Sequence, residues 1–493
     1  MIRAGSRIFS SGSLVKNHGL ENEGRAYNLQ RFYGPRKYFC YAPFRSVFVS
    51  YNGRVSPCYA CKAEASLKQQ SLEEIWKGES FENLRKQLSR GIIPDECSFC
   101  RGHLKNGNYG SILAAKYDHH AAPNKGFPAI MELELGNECN LECVMCCGEL
   151  SSSIRNHREQ KSPVESIVGE DFMQQFDFCL PRLRAAEFTG GDPFLIPVYE
   201  KLWERIEQVN PGMDLLITTN ANTMNEKVRA LLKKNLKLSF NISIDSLQKP
   251  VYEKIRQNAR FENALANIGI FANYAHNHHT SVGFLVCPLQ LNRFELHDFI
   301  EFADQYGATL SYHVVFKPAH LALWTLPAKE LETLAEQLKK HLFTGTDFRT
   351  RINARNYAGL VDLIAVWAEK ATSREVLEEQ KSGAVRELVA KARMKFRETL
   401  SSELSDKAAL EHQLLRMEHL ISLLDVGAQK DLVFVRLSEI PGNELVAALT
   451  AWTDREITEK LSQYHNNIYY QLYAGEGLSD NDKYELSMKG LVW

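Results

Sequence analysis

Short apolar runs alternate with helical periodicities through the middle of this 493-residue chain. Runs near 129–135, 184–189, 214–219, 238–244, 279–287 and 308–315 are apolar and bounded by turn residues, as buried strands are. Between them, stretches such as 198–209 and 226–234 carry helical spacing. Such alternation implies a parallel sheet with crossover helices, an α/β core over 125–325. Upstream, the run from Val47 to Val55 reads as a hairpin turning at Asn52-Gly53, inside a small module over 38–120 that follows a tail over 1–37. Downstream, from about Leu326 to the last residue, 493, the chain reads as helical. Val385, Val389, Ala392 and Phe396 form one narrow apolar seam, and Leu410, Leu414, Met417, Ile421 and Leu424 form another. Ser401-Ser402 and Ser405-Asp406 mark a break and a new cap between them, so the seams predict an antiparallel helical hairpin. The hairpin would pack on its own chain or on a second copy as a homodimer, and a docking surface for a peptide is the sharper alternative.

Chemistry enters with the cysteines. Cys139, Cys143 and Cys146 lie within eight residues in the spacing C-x3-C-x2-C. Soft thiolates select iron–sulfur clusters, zinc or copper(I). A four-iron, four-sulfur cluster usually takes four cysteines, so a loop with three leaves one iron open to a ligand that is not protein. The segment resembles the cluster loop of radical S-adenosylmethionine (SAM) enzymes. That resemblance implies that the open iron chelates SAM and that one electron cleaves SAM to a 5′-deoxyadenosyl radical. A zinc knuckle is the alternative for the isolated triplet.

The surrounding sequence extends the resemblance. A strand-like run from Ala129 to Leu135 precedes the cysteines and is broken by Gly136-Asn137. Another run, from Ala186 to Thr189, leads into Gly190, Gly191 and Asp192, where paired glycines let backbone approach a ligand closely. This is similar to the Gly-Gly-Glu motif of the family, whose acidic residue and backbone hold the amino group of SAM. Asp192 keeps the charge with a shorter reach. Asn220 and Ser243 end two further strands, and Arg256 follows them. They match positions at which relatives contact the ribose or carboxylate of SAM. The six strand–helix units then match the family's partial (β/α)6 barrel, a TIM-like core with its site at the carboxyl ends of the strands.

A second set lies upstream: Cys40, then Gly53, Cys58, Cys97 and Cys100 in the pattern C-x12-G-x4-C…C-x2-C. It resembles the half-length SPASM module called a twitch domain, which implies a second four-iron cluster held by Cys40, Cys58, Cys97 and Cys100. Relatives usually carry this module after the barrel, whereas here it precedes it. The helices from Ser71 to Trp76 and Phe81 to Arg85 match the Trp-bearing helix of such modules. The competing reading is a structural zinc site made of two knuckles, Cys58-x2-Cys61 and Cys97-x2-Cys100. It needs a spacer of 35 residues and leaves Cys40 idle. On the cluster reading Cys61 is a spare thiol, and a four-cysteine cluster is full and serves electron transfer.

Composition changes little. A net charge of −1 without a basic block argues against nucleic-acid binding. No apolar run is long enough for a membrane span or signal peptide. Eleven cysteines without a secretion signal read as metal ligands in a reducing cytoplasm. A low-potential donor such as flavodoxin or ferredoxin is the implied partner. Cys287, closing the fifth strand, is a candidate hydrogen-atom donor to a substrate radical, although such a residue is more often a small buried hydrophobe. Cys147 adjoins the third ligand and Cys179 reads as core. The resulting expectation is an oxidoreductase that abstracts hydrogen from a substrate C–H bond, leaning to a peptide or protein substrate. The alternative substrates are small molecules, through sugar or alcohol dehydrogenation or nucleotide cyclisation. From another class, the chain would be a non-catalytic zinc scaffold.

Overall fold

The computed structural model describes residues 22–31, 34–105, 109–120, 126–166, 170–315, 318–424 and 429–473. The chain divides into two compact units. One holds 1–141, 147–241 and 263–281, and the other holds 142–146, 242–262 and 282–493.

In the first unit, Ile130–Glu134 is the central strand. It runs parallel to Ala185–Phe188 on one side, which is followed in parallel by Asp214–Thr219. On its other side it runs parallel to Ser46–Ser50. The hairpin is where the apolar pattern put it: Ser46–Ser50 pairs antiparallel with Arg54–Ser56, and Gly53 turns the chain at a φ of +83°. The first strand of the upstream module extends the sheet of the core.

Alternation sets the two faces. Leu215 and Ile217 point to the buried side with Met131, Leu133, Ala186 and Phe188. Helix Pro197–Val209 covers that side with Tyr199, Leu202, Trp203 and Ile206. The buried Tyr199 hydroxyl accepts from the Leu135 N–H at 2.9 Å and lies 2.8 Å from the carbonyls of Leu133 and Thr189. It thereby locks together the two strand ends that lead into the cysteine loop and the glycine pair.

The 22–31 segment packs on this unit. Helix Asn22–Leu29 places Tyr27 in an apolar cluster with Phe39, Tyr41 and Leu104, and Arg31 pairs with Asp118 at 3.5 Å. Residues 1–21 lie outside the described residues.

In the second unit, Val282–Val286 runs parallel to Thr309–Tyr312, and the Ile244 N–H donates to the Leu285 carbonyl at 3.0 Å. A 56-residue helix, Phe348–Glu403, covers the last strand. Its Asn353 accepts from the Leu310 N–H and donates to the Ala308 carbonyl, while Asn356 donates to the Leu310 carbonyl. A bare sheet edge is thus satisfied by helix side chains. The helix ends at Glu403, Asp406 caps the next one, and the two apolar seams meet: Ala392, Phe396 and Leu400 share a core with Met417, Leu420, Ile421 and Leu424. No helix among the described residues is long and apolar enough to cross a membrane.

Candidate functional site

In the first unit, the glycine pair presses on the stretch just before Cys139. The Gly191 N–H donates to the Gly136 carbonyl at 3.2 Å, and the Asp192 N–H to the Glu138 carbonyl at 2.7 Å. Gly190 sits at a φ of +114°, where a side chain is strained. A Cβ on Gly191 would lie 2.1 Å from the Glu138 carbonyl oxygen, so only glycine allows this approach.

Asp192 is engaged by the protein itself. Its side chain is fully buried, and both carboxylate oxygens accept hydrogen bonds from the protein. Oδ1 takes the Phe194 N–H at 3.1 Å, and Oδ2 takes the Thr219 hydroxyl at 2.8 Å and the Asn220 N–H at 3.0 Å. The shorter side chain turns inward and clamps the backbone of Asn220. The Asn220 amide in turn reaches Asn140 Oδ1 at 3.1 Å and stands 3.9 Å from Cys139 Sγ. Asn220, 81 positions from Cys139, thus reaches the cysteine loop directly, and Asp192 acts on it through Asn220.

In the second unit, Glu142–Cys143 and Arg256–Gln257 form a two-residue antiparallel ladder in which Cys143 faces Arg256. An Arg256 guanidinium nitrogen lies 4.0 Å from Cys143 Sγ. The other end of the fork pairs with Asp245 at 2.8 Å, and both side chains are nearly inaccessible. Burial opposes the charge on Arg256, but Asp245 and then the Cys143 sulfur outweigh it, so its pKa rises. Arg256 Nε is buried without a hydrogen-bond partner among the described residues. Asp245 also accepts from the Cys287 N–H at 2.7 Å, and Asn292 braces the carbonyls of both. Cys287 thereby stands behind the Asp245–Arg256 pair and packs with Val144, Met145, Ile255 and Leu289. Burial pushes its thiol well up, so it stays protonated. Ser243 ends its strand partly exposed. Cys139, Cys143 and Cys146 are themselves partly exposed, Cys147 is exposed and Cys179 is buried in core.

The upstream thiols collect in one apolar pocket of the first unit. Cys40 and Cys100 are buried in it, and Cys58 and Cys97 pack against it. The helix Leu72–Lys77 buries its Trp76 nearby, with the Arg85 guanidinium 4.4 Å over the ring. Burial raises the Cys40 and Cys58 thiols and pushes Cys100 up to about 11. Cys97 is raised first by donating to the Cys61 sulfur and then by burial, and the same bond lowers Cys61. The fifth thiol therefore belongs to the group instead of lying idle. Among the described residues no three His, Cys, Asp or Glu side chains already stand at metal-binding spacing. Buried thiols with raised pKa values become good ligands once a metal replaces their protons.

One charged cluster escaped the motif reading. Glu132 and Glu187 stand in register on adjacent strands, and Lys116 bridges them at 2.9 and 2.7 Å. Ser46 donates to Glu132 at 3.0 Å, and the Tyr117 hydroxyl donates to it as well. Burial works against the Lys116 charge, but Glu187 and Glu132 prevail and raise its pKa. Tyr117 also belongs to the apolar cluster that holds Cys40 and Cys100, so this charged group adjoins the upstream thiols. A lone lysine carries no sequence signal; in-register glutamates on two predicted strands were the only clue.

Comparison with known proteins bears on both sets of cysteines. Residues 133–303 match the model of the radical SAM superfamily, and residues 40–101 match SPASM, an iron–sulfur cluster-binding domain. A GTP 3′,8-cyclase of Listeria welshimeri is 28% identical over 138 residues, which is 28% of this chain and 40% of that protein. A GTP 3′,8-cyclase of Limosilactobacillus fermentum is 24% identical over 190 residues, 38% of this chain and 54% of that one. The match therefore spans between 40% and 54% of the length of these curated relatives. Among solved structures, SuiB of Streptococcus suis bound to S-adenosylmethionine aligns at 14% identity with a TM-score of 0.34, covering 53% of this chain and 56% of that one. Residues 133–303 thus carry a radical SAM domain, which implies a four-iron, four-sulfur cluster and S-adenosylmethionine as cofactors, and an iron–sulfur cluster-binding domain precedes it in sequence.

Proposed function

We propose that this chain is an oxidoreductase that abstracts a hydrogen atom from a C–H bond of a peptide or protein. Cys139, Cys143 and Cys146 are its ligands to the SAM-binding cluster. When bound, the cluster and SAM supply a 5′-deoxyadenosyl radical by one-electron cleavage of SAM.

The observation that carries this reading is the ladder between Cys143 and Arg256, 113 positions apart in sequence. A buried arginine fixed by Asp245 beside a candidate ligand has no use in a zinc scaffold. It has a clear one where an anionic ligand must be seated next to a metal. Gly190 and Gly191 contribute close backbone, Asn220 an amide at the Cys139 side, and Ser243 a hydroxyl at its strand end. Asp192 acts by holding Asn220. Cys40, Cys58, Cys97 and Cys100 hold the second cluster, and an electron donor such as flavodoxin or ferredoxin supplies the reducing equivalent. Cytoplasmic residence fits eleven cysteines that form no disulfide among the described residues.

A nucleotide substrate is the second reading, favoured by the names of the curated relatives. The two differ in one assay. Anaerobically reconstituted protein with SAM and a reductant should form 5′-deoxyadenosine, and Cys143→Ala should abolish it. Unchanged product from that variant sinks the enzyme reading. Stimulation by GTP in place of peptide transfers the assignment to the nucleotide.

A further inference from the structure

Cys61 is 3% exposed, and three features place it as a ligand would be placed. Its N–H donates to the Cys58 carbonyl at 3.2 Å, closing a knuckle turn. The next residue ties this knuckle to the other one, because the Lys62 N–H donates to the Glu96 carbonyl at 2.9 Å. That bond brings the chain at Cys61 against the chain at Cys97, and the two thiols interact. Amide donors to sulfur are found at the predicted ligands. The Ala42 N–H lies 3.3 Å from Cys40 Sγ, and the backbone of Leu113 and Ala114 donates to Cys100. Such bonds stabilise bound thiolates and tune cluster potentials.

We propose that Cys61 is a second, ligand-competent thiol at the position of Cys97. The upstream cluster is then held by Cys40, Cys58, Cys100 and either member of this hydrogen-bonded pair. The inference rests on the reading of residues 40–101 as an iron–sulfur site. Whichever of Cys97 and Cys61 held the cluster would do so as a thiolate, and the other would carry the proton. No electron moves and the coordination number is unchanged. What changes is the hydrogen bonding around the cluster, a lever on its potential that costs no iron.

The test removes the other cluster first. A parent carrying Cys139→Ala, Cys143→Ala and Cys146→Ala should retain about four irons with matching sulfide per chain after anaerobic reconstitution. In that background Cys61→Ala and Cys97→Ala should each keep about four irons, and the reduced Cys97→Ala protein should show a shifted electron paramagnetic resonance spectrum. The double variant should lose them, as should Cys58→Ala. Loss of iron in Cys97→Ala alone overturns the proposal, as does loss in Cys61→Ala alone or retention in the double variant. If circular dichroism shows that Cys97→Ala has lost its fold, Cys97→Ser decides by the same counts. A parent that binds zinc or no iron instead overturns the iron–sulfur reading of the domain, which is a separate failure.

Discussion

Asp245 and Arg256 meet 2.8 Å apart with side-chain exposures of 0% and 7%, and Arg256 faces Cys143 across the ladder. Replacing Arg256 with Ala would strand the Asp245 carboxylate in the interior, and breaking a buried pair this way costs about 3–5 kcal/mol. Arg256→Lys keeps the charge but loses the fork that spans Asp245 and the sulfur side at once. We expect Arg256→Ala to lower the thermal midpoint and abolish SAM binding. Arg256→Lys should keep most of the stability and weaken SAM by at least tenfold in anaerobic calorimetry. Equal SAM affinity in wild type and the Lys variant would remove Arg256 from the ligand site.

Gly191 tests whether close backbone approach positions the cysteine loop. Alanine there would bring Cβ to 2.1 Å from the Glu138 carbonyl oxygen, and backbone must shift to relieve it. The shift falls on the stretch next to Cys139. Gly191→Ala should therefore reduce iron retention at the SAM-binding cluster and SAM affinity together. Gly212, with nothing within 4 Å of its ideal Cβ, is the control, and Gly212→Ala should change neither. Equal iron in the two variants would show that the loop is set elsewhere.

Asp192 separates positioning from contact. Its carboxylate accepts three donors in full burial, and an amide in its place can face them with only one oxygen. Leaving buried donors unsatisfied costs about 1–3 kcal/mol each. Asp192→Asn should lower the thermal midpoint in the absence of SAM and weaken SAM through the displaced Asn220. Direct contact predicts the opposite split, with weaker SAM and an unchanged midpoint.

Much of the core was legible because its strands are short apolar runs buried on one or both faces. All six expected runs contain an observed strand, from Ile130–Glu134 to Thr309–Tyr312. The turn at Gly53 and the cap at Asp406 were legible for local reasons, since a positive φ and an orphan N–H each demand particular residues. Pairing was not legible. Ser46–Ser50 lies beside Ile130–Glu134, 84 positions away in register, and alternation does not say which edge a strand joins. The same limit hid the charged residues. Asp245 became a site residue only when Arg256 was placed against it, and Cys61 only when Lys62 was tied to Glu96.

Glu187 gives a prediction in pH. Burial pushes its carboxyl up, Lys116 pulls it back, and Glu132 adds to the rise, with a net increase above its ordinary 4.5. The fold therefore holds this proton more tightly than the unfolded chain does. The stability that the proton contributes is fully present below about 4.5 and is lost as pH rises through the folded value. Glu187→Gln stays neutral and escapes that loss. Its ion pair with Lys116 forms only as Glu187 ionises, and its pull is already contained in that net increase. The difference in urea midpoint between Glu187→Gln and wild type should thus move in favour of the variant as pH rises from 4.5 toward neutrality. A difference that stays flat, or moves toward the wild type, would mean that Lys116 keeps Glu187 ionised throughout, with the pair acting as a fixed strut between two strands.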